Sequence, residues 1–192
     1  AALSPSQITA LTTKHIAALS TDSIANGLTI NQVMALTSSQ VAAFSIAQIA
    51  ALSENTIGGL ETSYLTLIST SAIAALSSTQ VGSLTAAQIA KLSSTQIAVL
   101  NTNAVANLSA DQVIALTTNQ ASALTTSQVA VLSSTAIAAM ETSDLATFKT
   151  TAIAVLNSNQ ISALTVEQIT SLSTKQLTAI SSNGIARLSA DQ

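Results

Sequence analysis

Apolar residues recur every eight positions along the whole chain. From Leu3 the units read LSPSQITA, then LTTKHIAA from Leu11, with LTSSQVAA later from Leu36, LTAAQIAK from Leu84 and LTTSQVAV from Leu124. The consensus is L-[S/T]-x-x-Q-[I/V]-x-A. Twenty-three full units fit, plus a shortened one, LSADQ, at Leu188 to Gln192. Position 1 is always Leu, Ile, Phe or Met. Position 6 is Ile, Val or Leu, with Ala121 the one exception. The register slips once, where Gly27 follows Asn26.

An octad cannot belong to one long helix. Eight residues advance about 800°, roughly 80° beyond two turns, so the Leu positions would spiral and bury nothing consistently. A coiled coil needs a period near 3.5, which eight does not supply. Each octad must therefore be its own structural unit. Its spacing predicts a helix start. With Ser or Thr at the N-cap, Gln falls at N3, which is a capping box. The preceding Leu and the following Ile or Val then form a hydrophobic staple. Pro5 sits at N1, where a missing N–H costs nothing. Asp22, Glu54, Asp111, Asp144, Glu167 and Asp191 fall at N1 to N3, where the helix dipole favours negative charge. Lys91 and Arg187 fall at the helix end, while Lys14 and Lys175 oppose the trend at N2.

The expected fold is thus all-α: a repeat solenoid or superhelix of very short helices, one per octad. Isolated helices this short are marginal, so the units must stack and share a core. Each helix end leaves about four carbonyls without intrahelical partners. Water, Gln side chains or neighbouring units must satisfy them. The alternative is a β-solenoid with two or three octads per coil. It suits Thr and Val, but Ala is a poor strand former and Gly or Asn corner residues are few.

A second period overlies the first. Position 5 is Gln in 14 of the 24 units, and apart from His15 the exceptions recur every ten units. LETSYL at Leu60 matches METSDL at Met140, and LSADQ at Leu108 returns at Leu188. An eighty-residue superunit has been duplicated. Residues 1–192 read as a single continuous array of about 24 units, and the stop within a unit suggests a piece of a longer one.

Composition narrows the function. Charged residues make up 7% and aromatic residues 2%, against about 25% charged in ordinary domains. Ser and Thr together number 56. Without Cys there is no disulfide scaffold, Cys nucleophile or Cys-based metal site. A net charge of −3 with five basic residues argues against nucleic-acid binding. Mean hydropathy is +0.53, yet Ser, Thr, Gln or Asn interrupts every apolar run, so no membrane insertion is expected. His15 replaces Gln at position 5 and reads as a drifted cap residue. One His without Cys makes neither a metal site nor a triad. Gly58-Gly59 lacks a following Lys and is no phosphate loop. No enzyme, cofactor or metal is expected.

The departures from consensus remain. Tyr64 and Asp144 occupy the Gln position in equivalent units, and Glu61 and Glu141 replace the Ser/Thr cap there. These four form the candidate partner face, although Glu61 and Glu141 also suit a break in packing. The Thr and Ser rows suggest an ice-binding surface as a minor reading, but capping explains the same residues.

The motif L-[S/T]-x-x-Q-[I/V]-x-A-L in tandem resembles arrays in giant proteobacterial surface or secreted proteins of the RTX-like, "heme utilisation or adhesion" type. The variant ETSDL at Glu141 to Leu145 resembles what those arrays contain. The resemblance covers the whole chain. It implies an extracellular or cell-surface location and a stalk, spacer, filament or adhesin-like role. It carries over no calcium or heme, since neither a GGxGxD nonapeptide nor a heme ligand set occurs here. LTPxQVxxI of TAL-effector repeats is a weaker likeness, because those repeats are longer and basic. With no polar end cap in the terminal octads, self-association, end to end or lateral, is expected.

Overall fold

A computed structural model describes residues 3–192. Among them the only regular elements are helices: twenty-two α-helices and one 3-10 helix, one per full octad, with no strand. The all-α repeat solenoid is the fold, and the β-solenoid alternative is corrected. Ala-rich octads with a capping residue at position 2 nucleate helices, and position 6 then points inward rather than alternating across a sheet.

Most of the described helices start the same way; Thr62–Leu67, Thr142–Leu145 and Thr150–Ala154, whose cap residues make no side-chain bond, are among the exceptions. At Ala86–Lys91 the N-cap is Thr85, in extended conformation. Its Oγ1 accepts from the Gln88 N–H at 3.2 Å, and the Gln88 Oε1 accepts from the Thr85 N–H at 2.8 Å. The same box closes at Ser93–Gln96, Ser109–Gln112 and Thr165–Gln168. Helices then run four to seven residues, as in Thr142–Leu145 and Thr21–Gly27. The corner that follows is two extended residues. Leu92 (φ −60°, ψ 142°) and Ser93 (φ −69°, ψ 157°) carry the chain directly into the next cap. No described residue adopts a positive φ. This explains the scarcity of Gly: the helix ends without the left-handed residue that a Schellman cap requires.

Two compact units are present, one running to Asn101 and the other from Thr102 to Gln192. In each, every helix packs on the third helix along the chain. In the first unit Ile30–Met34 lies on Pro5–Thr9 and Glu54–Gly58 lies on Ile30–Met34. In the second, Thr126–Val131 lies on Thr102–Ala106 and Thr150–Ala154 lies on Thr126–Val131. Three octads therefore make one coil. Positions 1 and 6 fill its interior, as with Ile89, Leu92, Ile97 and Leu100 in one unit and Ile153, Leu156, Ile161 and Leu164 in the other. Each such side chain contributes about 1.5–3 kcal/mol of burial.

The unpaired helix-end carbonyls are met by glutamine. Gln168 keeps its Oε1 on the cap N–H of Thr165 and sends Nε2 to the carbonyls of Ile137 (2.9 Å) and Met140 (2.7 Å) in the coil before. Gln160 does the same to Val129 and Leu132, and Gln176 to Ala146 and Phe148. In the first unit Gln88 reaches Gly58 and Leu60, and Gln96 reaches Leu65 and Ile68. One buried amide thus caps its own helix start and closes the helix end one coil away. Of the three solutions open at the sequence level, Gln side chains supply it at these positions.

Close stacking also sets the glycines. A Cβ on Gly58 would stand 2.8 Å from the Ser83 carbonyl oxygen, and one on Gly59 would stand 2.6 Å from Cγ1 of Ile30.

Candidate interaction face

The four candidate residues fall as two pairs, each within one unit. Glu61 and Tyr64 belong to the first. Glu61 is exposed and makes no cap hydrogen bond, and its helix, Thr62–Leu67, is 3-10. Tyr64 donates its backbone N–H to the Glu61 carbonyl at 2.9 Å. The Tyr64 side chain is half-buried. Glu61 also lines an open groove of about 310 Å³ with Ile30, Met34, Gly59 and Leu60, and Ile30 and Met34 are both exposed.

Glu141 and Asp144 belong to the second unit. Glu141 is exposed and likewise caps nothing with its side chain; the Ser143 hydroxyl donates to its Oε2 at 3.5 Å. Asp144 differs from Tyr64. It is 1% exposed, and its Oδ2 has no hydrogen-bond partner. Burial pushes its carboxyl above the ordinary carboxylate range, and the nearby Glu141 charge adds to this. The hydroxyls of Thr118 and Ser143 act in the opposite sense. In its Gln-bearing neighbours this position presents an amide that both accepts and donates; an ionised carboxylate can only accept. Of the four residues, Glu61, Tyr64 and Glu141 are accessible and Asp144 faces the interior.

His15 takes over the cap role of Gln. Its Nδ1 accepts from the Thr12 N–H at 3.2 Å, and Thr12 Oγ1 accepts from the His15 N–H. Asn157, replacing Ser or Thr, accepts from the N–H groups of both Asn159 and Gln160. Among the described residues no group of three or more His, Cys, Asp or Glu could hold a metal ion. No described helix is long and apolar enough to cross a membrane. A shallow groove of about 480 Å³ lies between Ser53, Glu54, Asn55 and Ser77, Thr79, Gln80. It holds one carboxylate and no nucleophile–base pair.

Sequence reasoning left the glutamine donors as one of three ways to satisfy the helix-end carbonyls, and it missed a recess beside Ala152. The exception at Ala121 was the one available signal for the recess.

No curated protein matches the chain in sequence. Two stretches, residues 57–94 and 137–174, match the ALTTAQ repeat family. Their starts and ends are each eighty residues apart, the spacing of the superunit, and each contains one of the two ET-S variants. The chain is a helical repeat protein that carries two ALTTAQ-type segments.

Proposed function

We propose that this chain is a non-catalytic structural array, serving as a spacer, stalk or self-assembling subunit in a bacterial surface or adhesin-like protein. The glutamine ladder carries the reading. Each coil offers carbonyls that the next coil's glutamines fill, so coils add without a special partner and length is the product. A location outside the cell follows the resemblance of the octads. Self-association has a concrete surface: Leu3, Ile8, Leu11, Leu19 and Leu28 surround a recess of about 340 Å³. Cryo-electron microscopy of the purified chain at high and low concentration tests the proposal. Filaments or rods of fixed diameter that lengthen with concentration support it. Compact monomers at every concentration contradict the self-assembling form and leave the passive spacer.

A second reading is a binding module. The groove beside Glu61, with exposed Ile30 and Met34, favours it. Tyr64→Gln with Glu61→Ser returns that unit to consensus. Loss of self-association in sedimentation would support a binding face there, and unchanged association would count against it.

A further inference from the structure

A second departure from the repeat lies in the unit from Thr102 to Gln192. Ala152 stands where Gln occupies position 5 in neighbouring octads, and Lys149 stands at its cap. Thirty-one residues earlier is Ala121, the exception at position 6. The two truncations meet. A cavity of about 140 Å³ lies between Ala121, Leu124, Thr125, Phe148, Lys149 and Ala152.

Ser122, Thr126 and Thr151 also line it, and it borders the two backbone groups that a glutamine would have used. Gln160, Gln168 and Gln176 all donate to the carbonyl 28 residues earlier. At Ala152 that carbonyl belongs to Leu124. Their Oε1 atoms, or those of equivalent glutamines, accept the cap N–H, as Gln160 does from Asn157 and Gln168 from Thr165. Here the cap N–H is that of Lys149, whose side chain makes no cap bond. Among the described residues neither the Lys149 N–H nor the Leu124 carbonyl has a hydrogen-bond partner. Ala121, Leu124 and Phe148 supply apolar walls and are buried.

We propose that this recess binds a primary carboxamide on a short aliphatic chain, supplied by a small amide or by a glutamine side chain of another protein. The amide oxygen accepts from the Lys149 N–H, its NH₂ donates to the Leu124 carbonyl, and its methylenes lie against Ala121 and Phe148. A primary amide offers the acceptor and donors this requires. A cavity of about 150 Å³ admits a ligand of benzene size, which has as many heavy atoms as butyramide.

The test is a ¹H–¹⁵N titration of the full chain with butyramide. The expected result is saturable shifts at Leu124, Thr125 and Lys149. Binding should weaken at least tenfold in Ala152→Gln, whose own side chain fills the recess, and in Ala121→Val, which fills its apolar half. Butyrate, lacking donors, should bind at least tenfold more weakly. N-acetylglutamine methylamide separates the sources: binding as tight as butyramide assigns the site to a protein side chain, and tenfold weaker binding assigns it to a free amide. Absence of saturable shifts, or equal binding of butyramide by Ala152→Gln and the parent chain, would overturn the proposal.

Discussion

Replacing Asp144 by Asn should change how stability depends on pH. Asn has nearly the same shape and cannot ionise. The helix Thr142–Leu145 packs against Thr118–Ala123 and Val166–Ser171. The first of these carries no charged residue, and the second carries only Glu167, which is exposed. Glu141, on the segment's own start, is the other carboxylate near it. No cation therefore offsets ionisation of the buried acid. The folded value is raised above the unfolded one, so the neutral form is favoured by folding. Stability is complete below the ordinary carboxylate range and declines as pH rises through the raised folded value. An orphaned buried polar group costs about 1–3 kcal/mol. Asp144→Asn should thus gain about 1–3 kcal/mol on the parent chain at about pH 8 relative to its difference at about pH 4. For a chain of this length each kcal/mol shifts Tm by about 2–4 °C. Thermal unfolding followed by circular dichroism, run on both proteins across that range, reads the difference. A gap that stays constant with pH, or one that widens towards low pH, would refute the burial argument.

Other substitutions test the packing. Gln168→Leu removes one acceptor and two donations, at roughly 1 kcal/mol each, and should cost about 3 kcal/mol in urea unfolding. Gln168→Glu should cost more at neutral pH, because an ionised oxygen would face the Ile137 and Met140 carbonyls. Gly58→Ala should destabilise by about 1–3 kcal/mol, since its Cβ meets backbone that cannot swing away. Gly82→Ala meets nothing within 4 Å and should stabilise its helix by about 0.5–1 kcal/mol, so the two glycines should move Tm in opposite directions. Glu167 responds oppositely to Asp144. Its own backbone N–H and the Thr165 hydroxyl lower its value, so that stabilisation is present above the ordinary range and lost as pH falls.

Local chemistry made the helix legible. Ser or Thr at position 2, Gln at position 5 and Leu with Ile or Val around them state a capped start in a few consecutive residues, and the structure closes that box, even with His15 in place of Gln. The number of octads per coil was not legible, because it depends on the angle between successive helices and no residue encodes that alone. Which carbonyls each glutamine reaches was hidden for the same reason. Its acceptors lie about thirty residues away, as with Gln88 and Leu60, and appear only once three octads close a coil. Asp144 shows the limit from the other side. As sequence it is an acid at N3 and suits the helix dipole; in the coil, position 5 turns inward and buries it. Ala121 stood out as an exception, but its consequence needed Ala152 placed beside it.

In this fold a single glutamine amide caps one helix and closes another. Side-chain hydrogen exchange tests it most directly. Gln48, Gln88, Gln160 and Gln168 are buried and donate to at least two carbonyls each, whereas Gln7 is exposed and its Nε2 has no partner among the described residues. In deuterated buffer, the NH₂ signals of the four buried glutamines should persist long after that of Gln7 has vanished. Exchange of all five at the same fast rate would contradict the ladder.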